Sequence, residues 1–446
     1  MDFRDTTLVL LRGTASEIFE SALQSVDARD AVRRVVTLDR STLRIFDEQF
    51  DIKTRQVFVV AIGKAAPEMA ASLFEILRDR ITEGVISGPP PKHDVFHSTN
   101  WQIFTGGHPL PNAQSLAAAN ASFELMHRAE ASRAMVIFLI SGGGSAMIEW
   151  PRSDNITLDD LRGANRALVS SEATIKEINA IRQAFSAIKG GRLASRAPTT
   201  TQINLIISDV NSGEEAQVAS GPTIFPAADS FNPREVIDRY GLRAALPDSI
   251  LRSIDDSSSS LTVPEVVLQQ STYVLLDNRS ALNAAAKKAK ALGFEVEIAG
   301  EIVEQPIDLG CHMLLAQLGE MRRQASNLPA CLISGGEFRC PVGGDGRGGR
   351  NLETVLRCAI ELERTPAEGN TVVLGAGTDG VDGNSPAAGA VADQTTIARA
   401  RAASLDASAF LANSDSFSFF HQLGDAIVTG PTGTNVRDIR ILLSRP

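Results

Sequence analysis

The sequence predicts an α/β fold in two domains, and three observations carry that expectation. Short apolar runs end in glycine turns and lead into helical patterns, as Gln56–Ile62 does into Gly63-Lys64 and Met135–Ile140 into Ser141–Ser145. Such alternation belongs to parallel sheets covered by helices. The pattern begins afresh at Thr272. Between the halves, Asp255-Asp256 and Ser257–Ser260 form a polar, low-complexity run suited to a boundary, which gives domains over 1–255 and 261–446. A chain of 446 residues has the length for two or three domains.

In chain order, residues up to about 40 read as helical, with Leu10, Ile18, Phe19 and Leu23 spaced for one buried face. The strand Gln56–Ile62 then places Lys64 at its carboxyl end, where open α/β sheets bind ligands. A weaker strand near Gly84–Ser87 gives way to Gly88-Pro89-Pro90-Pro91, a stiff loop. Trp101–Thr105 leads into Gly106-Gly107-His108-Pro109-Leu110-Pro111-Asn112, a shaped loop backed by an amphipathic helix over Ala113–Arg128.

The stretch Phe138–Glu149 holds the densest chemical signal. A buried strand breaks into Ser141-Gly142-Gly143-Gly144-Ser145, and Ala146-Met147-Ile148 can start a helix. Glycines leave backbone N–H groups uncovered and a helix start adds unpaired donors, so this turn is a candidate anion cradle. An ordinary strand–turn–helix joint is the other reading. Leu332-Ile333-Ser334-Gly335-Gly336 repeats part of it, with Glu337 next.

Thr157 is placed to cap a helix over Leu158–Val169. Asn179, Arg182, Ser186 and Lys189 follow at helical spacing, a largely basic stripe that faces either solvent or an anionic ligand. The strand Ile203–Ile207 delivers Ser208-Asp209, a carboxylate at another strand end. In the second half, strand Thr272–Leu276, helix Ser280–Leu292, strand Phe294–Ile298 and helix Asp308–Gln324 precede the strand at Cys331. A glycine-dense loop over 343–349 then opens a helix at Arg350-Asn351, and strand Thr371–Leu374 leads into Gly375–Gly383. The last strand is expected at Ile439–Leu443, after Gly430–Asn435.

Gly375, Gly377 and Gly380 match the dinucleotide fingerprint GxGxxG. The match is rejected because Asp379 and Asp382 would repel a pyrophosphate and Pro386 denies the helix. The two carboxylates suit either a Mg²⁺ that escorts a nucleotide phosphate or simple Asx turns. Walker A, protein-kinase, Gly-x-Ser-x-Gly and HExxH motifs are absent.

The formal charge of −10, without a Lys/Arg-rich run, argues against a nucleic-acid surface. Four cysteines without a CxxC pair fit reduced thiols in the cytoplasm. Neither a signal peptide nor a membrane span is expected from the apolar runs.

Taken together, the motifs resemble the glycerate 2-kinase family, the MOFRL-domain kinases, part of which carries an older hydroxypyruvate reductase label. The matching residues are AIGKAA at 61–66, GGHPLPN at 106–112, LISGGGSAM at 139–147, NAIRQAFSAIKGGRLA at 179–194, SDV at 208–210 and ASGPT at 219–223. They continue with DNRSAL at 277–282, SGGE at 334–337, GRGGRN at 346–351, GTDGVDG at 377–383, AAGA at 387–390 and GPTGTN at 430–435. The resemblance implies a Rossmann-like N-terminal domain, a C-terminal domain with a MOFRL region at about 330–440, and an active site in the cleft between them. It implies ATP- and Mg²⁺-dependent phosphorylation of D-glycerate at its 2-hydroxyl by a monomer or homodimer.

By the same resemblance Lys64 and Arg350 are the catalytic cations, and Asp209 is the general base or a metal ligand. Ser141, Gly142, Gly143, Gly144, Ser145, Lys189, Asn351, Thr434 and Asn435 would hold ATP phosphates. Arg182 and Glu337 would meet the substrate, and His108 is either a substrate contact or a turn residue. Asp379 and Asp382, with Asp209, would hold the metal. Three departures from the family pattern concern the acceptor: Asn211–Glu215 after Ser-Asp-Val, Phe338-Arg339-Cys340 after Ser-Gly-Gly-Glu, and Leu352 after Arg350-Asn351. A longer sugar acid therefore stands beside glycerate, and a nicotinamide-dependent hydroxypyruvate reductase or a non-catalytic anion binder are the other classes weighed.

Overall fold

Strand pairing in the N-terminal half begins earlier than the helical pattern suggests. The computed structural model describes residues 3–92, 95–96, 100–226, 231–256, 269–324, 328–364 and 369–446. Helices Phe3–Ser25 and Ala28–Val35 stop short of residue 40, because Val36-Thr37-Leu38 pairs in an antiparallel meander of β1 (Val36–Asp39), β2 (Thr42–Ile45) and β3 (Glu48–Asp51). On the first helix Ile18 and Phe19 are buried as expected, whereas Leu10 is exposed and Leu8 and Leu11 take its place in the core.

The first large sheet comprises β4 (Val57–Ile62), β5 (Ile81–Gly88), β6 (Trp101–Thr105), β7 (Met135–Ser141), β8 (Thr201–Ile207) and β9 (Gln269–Leu276), in the order β6-β5-β4-β7-β8-β9. Its pairings from β6 through β8 are parallel. Every residue of β4, β7 and β8 is buried, so these strands read as continuous apolar runs rather than alternating ones. Ile62 pairs with Ile140, which pairs with Ile206, so the three strands end at one level. The chain winds from β4 outward to β6, returns to β7 and winds the other way, so the switch of direction lies between β4 and β7.

The loops around this edge are tied by specific caps. Asn112 and Ser115 form a capping box on helix Ala113–Ser132, and the Ser115 hydroxyl also accepts from Gly107 N at 3.0 Å. Thr157 caps Leu158–Val169 in the same way, as expected. Helices 158–169, 175–185, 233–239 and 248–256 share a separate apolar cluster built on Leu161, Phe185, Val236 and Ile250.

The second sheet is mixed. It contains β10 (Glu295–Ile298), β11 (Ile302–Pro306), β12 (Ala330–Arg339), β13 (Asn370–Gly377), β14 (Gly389–Asp393), β15 (Ala426–Ile427) and β16 (Asp438–Arg445). The C-terminal strand β16 runs antiparallel between β12 and β13, fully buried to Ser444.

Two compact units divide the chain: Ala28–Leu275, and Met1–Asp27 with Leu276–Pro446. These units differ from the domains expected over 1–255 and 261–446 in where residues 1–27 and 261–275 fall. The strand around Thr272 does not open the second unit but closes the first sheet as β9. Residues 1–27 pack with the C-terminal unit, where Arg12 pairs with Asp393 and with Asp425 at 2.7 Å. The Ser257–Ser260 run lies outside the described residues. Among the described residues, no helix is long and apolar enough to cross a membrane.

Candidate active site

In the Ala28–Leu275 unit the switch point gathers three of the expected groups around one glycine turn. Gly63 leaves β4 at φ +113, and a β-carbon there would stand 2.3 Å from the Ser141 carbonyl, so β4 and β7 emerge in contact. Lys64 N donates to Gly142 O at 2.9 Å. A β-carbon on Gly142 would meet Asp209 Oδ2, and one on Gly143 would meet His108 Cδ2 and Lys64 Cγ, each within 3.0 Å. Lys64, His108 and Asp209 thus converge on consecutive glycines, from the ends of β4 and β8 and the loop after β6. Ligands of open α/β sheets bind at such a switch point.

The two serines of the turn serve the scaffold. Ser141 is fully buried, and its hydroxyl accepts from Ala65 N at 3.0 Å and donates to Ile62 O at 3.4 Å. The Ser145 hydroxyl shares a hydrogen bond of 2.8 Å with Ser220, whose hydroxyl bonds Asn179 Oδ1 at 2.7 Å. Both hydroxyls, expected at phosphate, make their hydrogen bonds within the protein. The helix behind the turn is a single turn, Gly144–Met147. Gly144 must be small because Ala219 packs on it; Ala219 and Ser220 are themselves held at φ +53 and +60. Left-handed backbone at non-glycine residues survives only where its surroundings over-determine it. Here Gln183 Nε2 and Gly190 N both donate to Ser220 O.

The basic stripe is corrected too. Arg182 and Lys189 are 8% and 1% exposed, so the stripe does not face open solvent. The Lys189 ammonium is paired with Glu149, which also accepts from Ser186 Oγ at 2.5 Å and from Trp150 N at 2.9 Å. Burial pushes the proton affinity of Lys189 down, and Glu149 pulls it back only in part. Arg182 donates to Asn165 at 3.1 Å, and burial lowers its pKa to about 10. Glu149, unremarked in the sequence, is what turns an apparent basic face into a core network.

In the other unit, Arg350 opens helix Arg350–Arg364. Its Nε donates to Asp438 at 2.8 Å and its Nη2 lies 2.9 Å from Glu337. Burial disfavours the charged guanidinium, but Asp438, Glu337 and Asp382 outweigh it, and the pKa rises. Asp382, expected as a metal ligand, caps this helix. Its Oδ1 accepts from Asn351 N at 3.1 Å and its Oδ2 from Leu352 N at 2.8 Å. Desolvation raises its pKa to about 7 against those hydrogen bonds. Asp379 turns back on its own loop, accepting from Val381 N at 3.1 Å. Among the described residues no group of three or more His, Cys, Asp or Glu side chains is placed to hold a metal ion. Within this unit the Asp382 carboxylate is engaged in capping and Asp379 Oδ1 in its own turn.

Asn351, expected at phosphate, gives its amide to Asp382 and Asp438, while its Oδ1 is buried without a partner. Thr434 likewise leaves a buried, unpartnered hydroxyl, and Asn435 caps Arg437 N at 3.1 Å. The Ser334–Glu337 repeat is no second cradle: β12 runs straight through it, and Gly336 N is held by Asn278 Oδ1 at 3.1 Å. Asp438 was missed in the sequence; its only signal is an acid three residues after GPTGTN.

β13 leads past its GxGxxG turn into the antiparallel β14 instead of a helix, which speaks against a dinucleotide site there, and the relatives of the chain are α/β kinases. The domain of unknown function DUF4147 matches residues 14–255 and the MOFRL family matches residues 330–438. The chain is 34% identical to a glycerate kinase of Homo sapiens, covering 97% of this chain and 93% of that protein. It is 32% identical to a D-glycerate 2-kinase of Thermotoga maritima, covering 97% and 98%. The crystal structure of a glycerate kinase from Thermotoga maritima superimposes with a TM-score of 0.79 at 30% identity, covering 97% and 99%. The chain belongs to the glycerate 2-kinase family.

Proposed function

We infer that the protein transfers the terminal phosphoryl group of ATP to the 2-hydroxyl of D-glycerate, giving 2-phosphoglycerate and ADP. The observation that carries this reading is the convergence of Lys64, His108 and Asp209 on Gly142–Gly143 at the switch point. Phosphoryl transfer needs alignment and charge stabilisation more than covalent help. Asp209 takes the hydroxyl proton as the oxygen attacks. Lys64 offers a compact charge to the transferring phosphoryl group, and Arg350 a planar fork to the same reaction. The backbone of Gly142–Gly144 holds phosphate oxygens, and His108 contacts the acceptor. Mg²⁺ enters as the companion of the nucleotide phosphates, with no step assigned to it.

Two of the departures from the family pattern, Phe338 and Leu352, turn inward, and this favours glycerate over a longer sugar acid. Phe338 is 2% exposed, against Gly310 and under the Arg440 guanidinium. Leu352 is fully buried. Glu214 pairs with Lys176 at 2.8 Å, and Glu215 accepts from Gly213 N at 2.9 Å.

Incubation with Mg-ATP and D-glycerate, followed by phosphorus NMR, tests the reading. Glycerate-dependent 2-phosphoglycerate is expected. ADP release indifferent to any hydroxy acid would sink it, and 3-phosphoglycerate would refute the position of transfer. A panel of four- and five-carbon aldonic acids is expected to turn over more slowly than glycerate.

A further inference from the structure

Asp438 is the first residue of β16 and is 4% exposed. It pairs with Gly377 at the end of β13, and its neighbour Ile439 pairs with Gly335 of β12, so it lies between β13 and β12. Both carboxylate oxygens are engaged. Oδ2 accepts from Arg350 Nε at 2.8 Å and Oδ1 from Asn351 Nδ2 at 2.8 Å. Asn278 donates to its main-chain carbonyl at 3.0 Å, and the buried Arg440 guanidinium lies 3.7 Å from Oδ2. The residue is thus pinned by backbone and side chain alike. Across the guanidinium, Glu337 lies against Nη2. Among the described residues Nη1 of Arg350 has no hydrogen-bond partner, and the side chain is 36% exposed.

We propose that Asp438 is the positioning residue of the reaction: by holding Nε it fixes the plane of the Arg350 guanidinium and presents Nη1 to the anion being transferred. A guanidinium is planar and conjugated through Nε, so a carboxylate that grips Nε sets the direction of the other nitrogens. Asn351 keeps that carboxylate from rotating. The proposal rests on the kinase reading above.

The test is a double-mutant cycle with Asp438→Asn and Arg350→Ala. The amide in Asp438→Asn must turn its NH₂ toward Arg350 Nε or toward Asn351 Nδ2, so one contact is lost while the volume is kept. A misplaced catalytic group costs about 10²-fold, so kcat is expected to fall by roughly that factor, with both KM values within about threefold. In the Arg350→Ala background the same change is expected to alter kcat by less than about twofold, since residues acting as a unit are not additive. An equal loss in both backgrounds, or a kcat near wild type, overturns the proposal. Should Asp438→Asn not fold, Arg350→Lys keeps the charge without the Nε, and a kcat within about threefold of wild type is then the refuting result. Absence of glycerate-dependent turnover in the wild type would refute the kinase reading instead. The positioning claim then stands or falls on the Arg350 Nε–H, whose slowly exchanging ¹⁵N-edited resonance is expected to disappear in Asp438→Ala, which leaves no acceptor; a resonance that persists unchanged overturns it.

Discussion

Gly142 and Asp209 are in such close apposition that a β-carbon on the glycine would stand 1.9 Å from the Asp209 Oδ2. The contact explains why the turn after β7 is glycine at this position, where φ alone does not demand it. The carboxylate occupies the space of the missing side chain. Gly142→Ala is therefore expected to push Asp209 aside and lower kcat about 10²-fold, the scale of an ångström misplacement. Steady-state kinetics, with circular dichroism to confirm folding, checks this; near-normal turnover would show that the position of Asp209 is immaterial.

Lys64→Ala and Arg350→Ala are each expected to lower kcat by about 10²–10³-fold, the usual loss when one stabilising group is removed from a transition state. Lys64 is partly exposed, so its loss should shift thermal melting little, whereas Arg350→Ala leaves the buried Asp438 unpaired and is expected to lower the melting temperature as well. A variant with wild-type turnover removes that residue from the mechanism.

Lys189 gives the opposite profile. Its partner Glu149 is 1% exposed, and breaking such a buried pair leaves an uncompensated charge worth roughly 3–5 kcal/mol. Lys189→Met is expected to show that loss in urea unfolding, with KM for ATP unchanged in the folded fraction. An intact fold with a raised KM would restore Lys189 to the phosphate site.

Asp382 makes stability depend on pH. Its folded pKa of about 7 lies above the ordinary carboxylate value, so between about pH 4 and 7 the folded protein holds a proton that the unfolded chain has released. Its contribution is complete in acid and is lost as pH rises through 7. Urea unfolding at pH 5 and pH 8 should thus show a steeper decline for wild type than for Asp382→Asn, by on the order of a few kcal/mol. Asn keeps an oxygen to cap Arg350–Arg364. Equal declines would exclude Asp382 as the titrating group.

The strands and their order of chemistry were legible because buried parallel strands need unbroken apolar runs and their ends need glycine. Lys64, Asp209 and the turn Gly142–Gly144 follow directly from that punctuation. The caps at Asn112 and Thr157 were equally local, since a cap depends on residues three apart. The roles of Arg182, Lys189 and Asp382 were not legible. Each depends on a partner far along the chain: Lys189 on Glu149, Arg182 on Asn165, and Asp382 on backbone donors of a helix that begins before it.

What the sequence determined by itself is the family, the alternation of strand and helix, and the residues at strand ends. The tertiary structure alone decided which of those residues face solvent and which are spent inside. A polar stripe of helical spacing looks the same whether water or a buried carboxylate lies opposite, because periodicity records the face and never the neighbour. It also decided that the first 27 residues belong with the last strands, since Arg12 finds its carboxylates at Asp393 and Asp425. Nothing local to Arg12 encodes that pairing; it exists only once the second sheet has brought β14 and the start of β15 together.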